Sequence, residues 1–186
     1  MNKIKVSIIL LSIFFASLSS FSQEVKVIAL RHIKGVKGIE LNYGIGGNNG
    51  RYYQAMYDQY FKDKWMGAFG VNYEQVKIGN TSAGDIIFRH DSYFTVAGIK
   101  QRLYFNIVAG AFLGMERIGA YTSTDNSFIY PETNKFLFGL TAGGNMELYI
   151  NNTTSFTITG EQYFNPNSPL GIWKFNVLAG LRIYFN

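Results

Sequence analysis

Cysteine is absent from the 186 residues, proline occurs three times, histidine twice, and only 16% of the residues are charged. Without cysteine there is no disulfide framework, thiolate metal site, cysteine nucleophile or lipid-modified N-terminal cysteine. His32 and His90 show no spacing to carboxylates that suggests zinc. Gly44, Gly46 and Gly47 precede no helix and no phosphate-facing lysine, so they do not form a nucleotide loop. No cofactor, metal or small-molecule substrate is expected. Beyond the N-terminal segment no stretch approaches 18 uninterrupted apolar residues, so no transmembrane helix is expected. What the chain does have is 47% hydrophobic residues, 20 glycines, 13 tyrosines and 16 phenylalanines. That is too apolar for disorder, and the aromatic excess favours strands.

The first 22 residues read as a secretory signal peptide. Lys3 and Lys5 form a basic region, Val6 to about Leu18 is apolar, and Ser20-Phe21-Ser22 is a small-x-small cleavage site. Removing the two lysines lowers the net charge from +5 to +3. Residues 23–37 form an N-terminal stub carrying Lys26, Arg31, Lys34 and Lys37. These cations could touch nucleic acid or anionic lipid, and a solvated periplasmic tail is the ordinary reading. Direct nucleic-acid binding is not expected, because backbone binding wants several clustered phosphate contacts.

Residues 38–186 alternate. From Trp173 onward every second residue is apolar (Trp173, Phe175, Val177, Ala179, Leu181, Ile183, Phe185), a period of two held over about 13 residues. A soluble strand is usually about 5–6 residues, whereas a tilted membrane-spanning strand needs about 9–11. The same pattern recurs around Ile39–Ile45, Trp65–Tyr73, Phe105–Met115, Phe136–Leu148 and Phe156–Phe164. Tyr52–Tyr60 and Ser92–Lys100 alternate less clearly, and either of their faces could point outward. Eight strands are therefore expected, in an antiparallel transmembrane β-barrel of the all-β class with both termini periplasmic. Tyr43, Trp65, Tyr73 and Trp173 are candidates for its interfacial girdles.

The second face of these strands is rich in Gly, Ala, Asn and Ser, with about one carboxylate per strand. Glycine suits a narrow barrel interior, and a carboxylate there needs a cation because burying it unpaired is costly. The expected lumenal network is Glu74, Glu116, Glu147 and Glu161 with Arg182 and Lys174; Lys100 is a further candidate cation. Connections are expected to alternate, with long ones at Lys77–Asp91 and Arg117–Lys135 and a polar tip at Thr122–Ser127. An eight-stranded barrel is filled by its own side chains, so solute diffusion is not expected.

Gly180, Ile183 and Phe185 resemble the C-terminal signal by which barrel-assembly machinery takes up outer-membrane proteins. More widely, residues 37–186 resemble the conjugative transposon protein TraO family. The matching pieces are Lys37-Gly38-Ile39-Glu40, Ala109-Gly110 with Gly114-Met115-Glu116, Phe138-Gly139 through Gly143-Gly144 to Glu147, and Ala179 to Phe185. The resemblance implies a non-enzymatic outer-membrane component of a Gram-negative DNA-transfer apparatus, in contact with membrane lipid and other transfer proteins. It transfers no functional residues. Two alternatives stand beside it. One is a structural or adhesion barrel that binds through external loops. The other is a lipid-modifying hydrolase using His90 and Ser92 as a His-x-Ser pair. The register that sends Tyr93, Ala97 and Ile99 to lipid turns that pair into the lumen, which argues against the hydrolase.

Overall fold

The computed structural model describes residues 32–47, 50–78, 81–119, 121–122, 129–130 and 132–185. The expected signal peptide, Lys26, Arg31 and most of the Thr122–Ser127 tip lie outside them. The strands are β1 (Lys37–Ile45), β2 (Arg51–Lys62), β3 (Trp65–Ile78), β4 (Thr81–Ile99), β5 (Leu103–Ile118), β8 (Thr133–Tyr149), β9 (Thr154–Phe164) and β10 (Trp173–Phe185). A small ribbon, β6 (Tyr121–Thr122) and β7 (Ile129–Tyr130), stands between β5 and β8.

The eight long strands close into one antiparallel barrel, each paired with its chain neighbour and β10 returning to β1. Closure sets Ile39 opposite Ile183 and Glu40 opposite Arg182. A cross-strand line from Lys37 through Ser92 and Gln162 reaches Phe175. Two positions past the Ile45–Val177 pair, Phe175 stands level with Gly47, ten residues on from the starting point. That stagger goes with strands tilted by roughly 35–45° and a bore only wide enough for side chains.

Alternation puts apolar residues outside. Ile39, Leu41, Phe69, Ile107, Leu113, Phe138, Leu181 and Ile183 are all half or more exposed. Inside, large side chains are spaced by glycines. A side chain at Gly110 or Gly180 would run into Asp91 or Asn42, so close approach demands glycine at both positions. Tyr52, Met66, Val76, Val108, Leu137 and Leu178 are almost wholly buried in the bore.

Three sequence expectations need correction. Lys77–Asp91 is not a long loop, since β3 runs to Ile78 and β4 starts at Thr81. Its charged residues Asp85, Arg89 and Asp91 are lumenal and alternate with outward Ile86 and Phe88. On β4, Tyr93 points inward (3% exposed), and His90 and Ser92 lie on the outward face. A bulge between Thr95 and Ala97 causes this reversal, because one extra residue flips the parity. Lys100 is exposed in the β4–β5 turn, where Lys100 and Gln101 both have positive φ (50° and 55°), and it takes no part in the lumen.

The barrel has a terminal end, where β1 begins and β10 ends, and a loop end. At the loop end one side rises, because β4, β5 and β8 have 19, 16 and 17 residues against 9, 12 and 11 for β1, β2 and β9. At the terminal end residues 32–36 fold against the mouth. Gly35 N donates to Tyr60 O (2.8 Å) and Tyr60 N to Val36 O (2.9 Å), while His32 and Val36 are buried.

Candidate functional site in the charged lumen

Eight carboxylates (Glu40, Asp58, Glu74, Asp85, Asp91, Glu116, Glu147, Glu161) and three cations (Arg89, Lys174, Arg182) are buried among the described residues. Period-two geometry places them: each is an inward residue of a strand whose neighbours face out. They form three tiers, each with a cation at its centre.

The tier at the terminal end surrounds Arg182 of β10. Its guanidinium pairs with Glu40 of β1, with Asp58 Oδ2 of β2 (Nε, 2.8 Å) and with Glu147 Oε2 of β8 (Nη1, 3.3 Å). Thr157 Oγ1 donates to Glu40 Oε1 (2.8 Å), and Ser155 Oγ and Tyr184 Oη each donate to Glu147 Oε1 (2.6 Å). The Tyr93 ring lies 5.2 Å from the guanidinium carbon. His32 closes the tier from the mouth. It stacks on Tyr104 (4.0 Å between centroids), and its Nε2 lies 3.6 Å from Glu147 Oε2. A planar cation with several N–H donors matches carboxylates on separate strands, which an ammonium does less well.

The middle tier surrounds Arg89 of β4. Nη1 and Nη2 grip Glu161 of β9 at 2.9 and 2.7 Å, and Nε meets Asp91 Oδ2 at 2.7 Å. Tyr163 bonds Glu161 (2.9 Å) and the Tyr52 hydroxyl, and Thr141 bonds Asp91 (3.1 Å). A separate polar chain, Asn106–Asn145–Thr159, crosses β5, β8 and β9 and joins His32 through Thr95.

The tier nearest the loop end surrounds Lys174 of β10. Its ammonium lies 3.1 Å from Asp85 Oδ2, 3.3 Å from Glu74 Oε2 and 3.4 Å from Glu116 Oε2. Ser168, from the β9–β10 connection, donates to Glu116 (2.7 Å). A recess of about 630 Å³ opens beside it, lined by Asp85 and Glu116 together with Tyr73, Ile86 and Met115.

All six residues expected in the network thus face the lumen, but in different tiers. Arg182 and Glu147 share one, Lys174, Glu74 and Glu116 another, and Glu161 pairs with Arg89. Sequence reasoning missed Glu40, Asp58, Asp85, Arg89, Asp91 and His32. Of these, Glu40 alone had a signal in its own strand, its parity with inward Gly38 and Asn42 on β1. The arrangement holds charge and strands in place. Among the described residues no group of three or more His, Cys, Asp or Glu is placed to hold a metal ion.

His90 and Ser92 do not form a catalytic pair here. His90 stacks on Phe69 (4.2 Å) and its Nδ1 lies 3.1 Å from Ala68 O. The outward residues of β3, β4 and β5 around it include no carboxylate, and Asp91 and Glu116 point to the other side of the wall. Of the C-terminal signal, Ile183 and Phe185 face outward and Gly180 inward.

No protein-family model and no curated protein matches the chain. Solved structures do match in fold. Neisserial surface protein A is similar with a TM-score of 0.61 at 9% identity, covering 81% of this chain and 96% of its own. The Yersinia pestis attachment invasion locus protein Ail is similar with a TM-score of 0.57 at 12% identity, covering 82% and 100%. The N-terminal β-barrel domain of Pseudomonas aeruginosa OprF is similar with a TM-score of 0.56 at 11% identity, covering 82% and 98%. The chain has the eight-stranded antiparallel barrel fold of these outer-membrane proteins.

Proposed function

We propose that this protein is a non-enzymatic barrel of a Gram-negative outer membrane, serving a conjugative DNA-transfer apparatus as an anchor or docking part. The observation that carries the membrane reading is the outer wall. An apolar belt runs around all eight strands and is largely exposed, whereas monomeric soluble proteins rarely show contiguous apolar patches beyond a few hundred Å². Hydrocarbon suits such a wall. The bore is shut, since Glu40, Asp58, Asp91, Leu137, Glu147 and Arg182 have no accessible surface. Solute passage is therefore not the function, and partners meet the protein at its two ends.

The transfer-apparatus reading rests on the TraO resemblance. Four of its pieces carry lumenal charges: Glu40, Glu116, Glu147 and Arg182. Glu40, Glu147 and Arg182 meet in one tier, so the resemblance follows residues that hold the barrel together. Assembly machinery would take up the chain through Gly180, Ile183 and Phe185. Other transfer proteins, not DNA, are the expected partners.

Deletion of the gene from a mobile element should lower mating frequency at least about tenfold, with recovery on complementation. Unchanged frequency would remove the conjugation role. Recovery of the protein as a soluble periplasmic species would remove the membrane reading itself. A second reading, an adhesion or structural barrel that binds outside, is favoured by the raised β4–β5–β8 wall and the recess beside it. Normal mating with loss of surface binding would select it.

A further inference from the structure

The terminal rim carries six cations and one carboxylate among the described residues: Lys34, Lys37, Lys62, Lys64, Lys100, Arg102 and Asp63. They are unevenly placed. The β8–β9 turn, 150–153, is Ile-Asn-Asn-Thr and carries no charge. Lys34, Lys37, Lys62 and Lys64 instead gather at the foot of β1–β3. Lys37 opens β1 on the outward face, opposite Gln59 of β2, and Lys62 ends β2 opposite Trp65. Asp63, in the same turn, accepts from Lys34 N (3.2 Å).

The wall above these lysines is layered. Lys62 Nζ stands 5.8 Å over the Trp65 ring. Trp65 stacks on Phe94 (5.9 Å) and meets the edge of Phe61 (5.6 Å). Higher up, Ile39, Tyr57 and Phe69 are paired across the three strands and all face outward. Apolar wall, aromatic collar and ammonium groups follow in the order of acyl chain, interface and phosphate in a bilayer leaflet.

We propose that the foot of β1–β3 binds an anionic glycerophospholipid of the leaflet at the terminal end, its phosphate against Lys37, Lys62 and Lys64. The acyl chains run along Ile39, Tyr57 and Phe69. This inference rests on the membrane reading above. The cations supply selectivity for negative headgroups, and the aromatic collar fixes the depth at which they sit. Each lysine near an anionic surface strengthens association about fivefold.

The test uses tryptophan quenching. The sequence has two tryptophans, so Trp173→Phe leaves Trp65 as the reporter at the site. The full barrel is reconstituted in phosphatidylcholine bilayers containing phosphatidylglycerol or phosphatidylcholine with brominated chains, at equal mole fraction. Quenching should favour the brominated phosphatidylglycerol severalfold. The preference should vanish in Lys37→Gln/Lys62→Gln/Lys64→Gln and persist in Lys77→Gln/Lys135→Gln, which removes charge at the other end. If the triple variant does not give the heat-dependent gel shift of a folded barrel, Lys62→Gln/Lys64→Gln replaces it and should weaken the preference. Equal quenching by the two lipids, or a preference surviving in the triple variant, overturns the proposal while leaving the barrel in lipid. Absence of quenching by either lipid overturns the membrane reading and the proposal with it.

Discussion

The tiers around Arg182 and Lys174 solve one problem in two ways. Each sets three carboxylates around a single cation on β10. Arg182 is fully enclosed and assigns a separate nitrogen to each of three strands. Lys174 offers one point of charge, equidistant within a few tenths of an ångström from its three acids, beside a recess open at the loop end. The first tier fixes geometry, and the second neutralises charge with little directional demand. An enclosed pair broken on one side leaves an uncompensated charge, whereas water can reach a tier near an open end.

The largest expected effect follows from Arg182. Arg182→Ala should cost about 3–5 kcal/mol, read as a fall in the unfolding midpoint of the gel-shifting form. Arg182→Lys should recover little of that, because one ammonium replaces three bonding nitrogens. Lys174→Met should cost less, about 1–3 kcal/mol, and Lys174→Arg should stay within about 1 kcal/mol of wild type. If Lys174→Met were as damaging as Arg182→Ala, the contrast between the tiers would fail. The smallest pair sharpens it further. Ser155→Ala should cost about 1.5–3 kcal/mol by stripping Glu147 of a donor in an enclosed site, and Ser168→Ala under about 1 kcal/mol by the same denaturation series.

Much of the fold was legible because a barrel wall is written in alternating letters. The outer faces of β1, β3, β5, β8, β9 and β10 read correctly from apolar parity alone. On β2 parity could not decide. Tyr52, Met56 and Tyr60 face in while Tyr53, Ala55 and Tyr57 face out, so both faces are apolar or aromatic. Only Gln54 and Asp58 mark the inner side. On β4 the error had a geometric origin. Reading backward from outward Ala97 and Ile99 crosses the bulge, and every residue beyond it is then assigned to the wrong face. Asp85, Arg89 and Asp91 read as loop charges, because charge density in a run of sequence resembles a solvated connection. That Arg89 neutralises Glu161 on β9 and Asp85 neutralises Lys174 on β10 is a long-range fact with no local trace. His32 was invisible for a similar reason: its burial comes from the mouth it closes, not from any pattern in its own segment.

The Glu40–Arg182 pair spans 142 positions of chain and lies across the seam where the barrel shuts. Glu40 and Asp58 belong to the first two strands made, and their cation arrives on the last. Until β10 docks, both acids lack that counter-charge and keep their claim on water. Completion of the ring is thus coupled to the disappearance of hydrated charge from its interior. A chain stalled before its final strand carries a wet, acidic seam, a chemical difference between unfinished and finished barrels that needs no separate inspector.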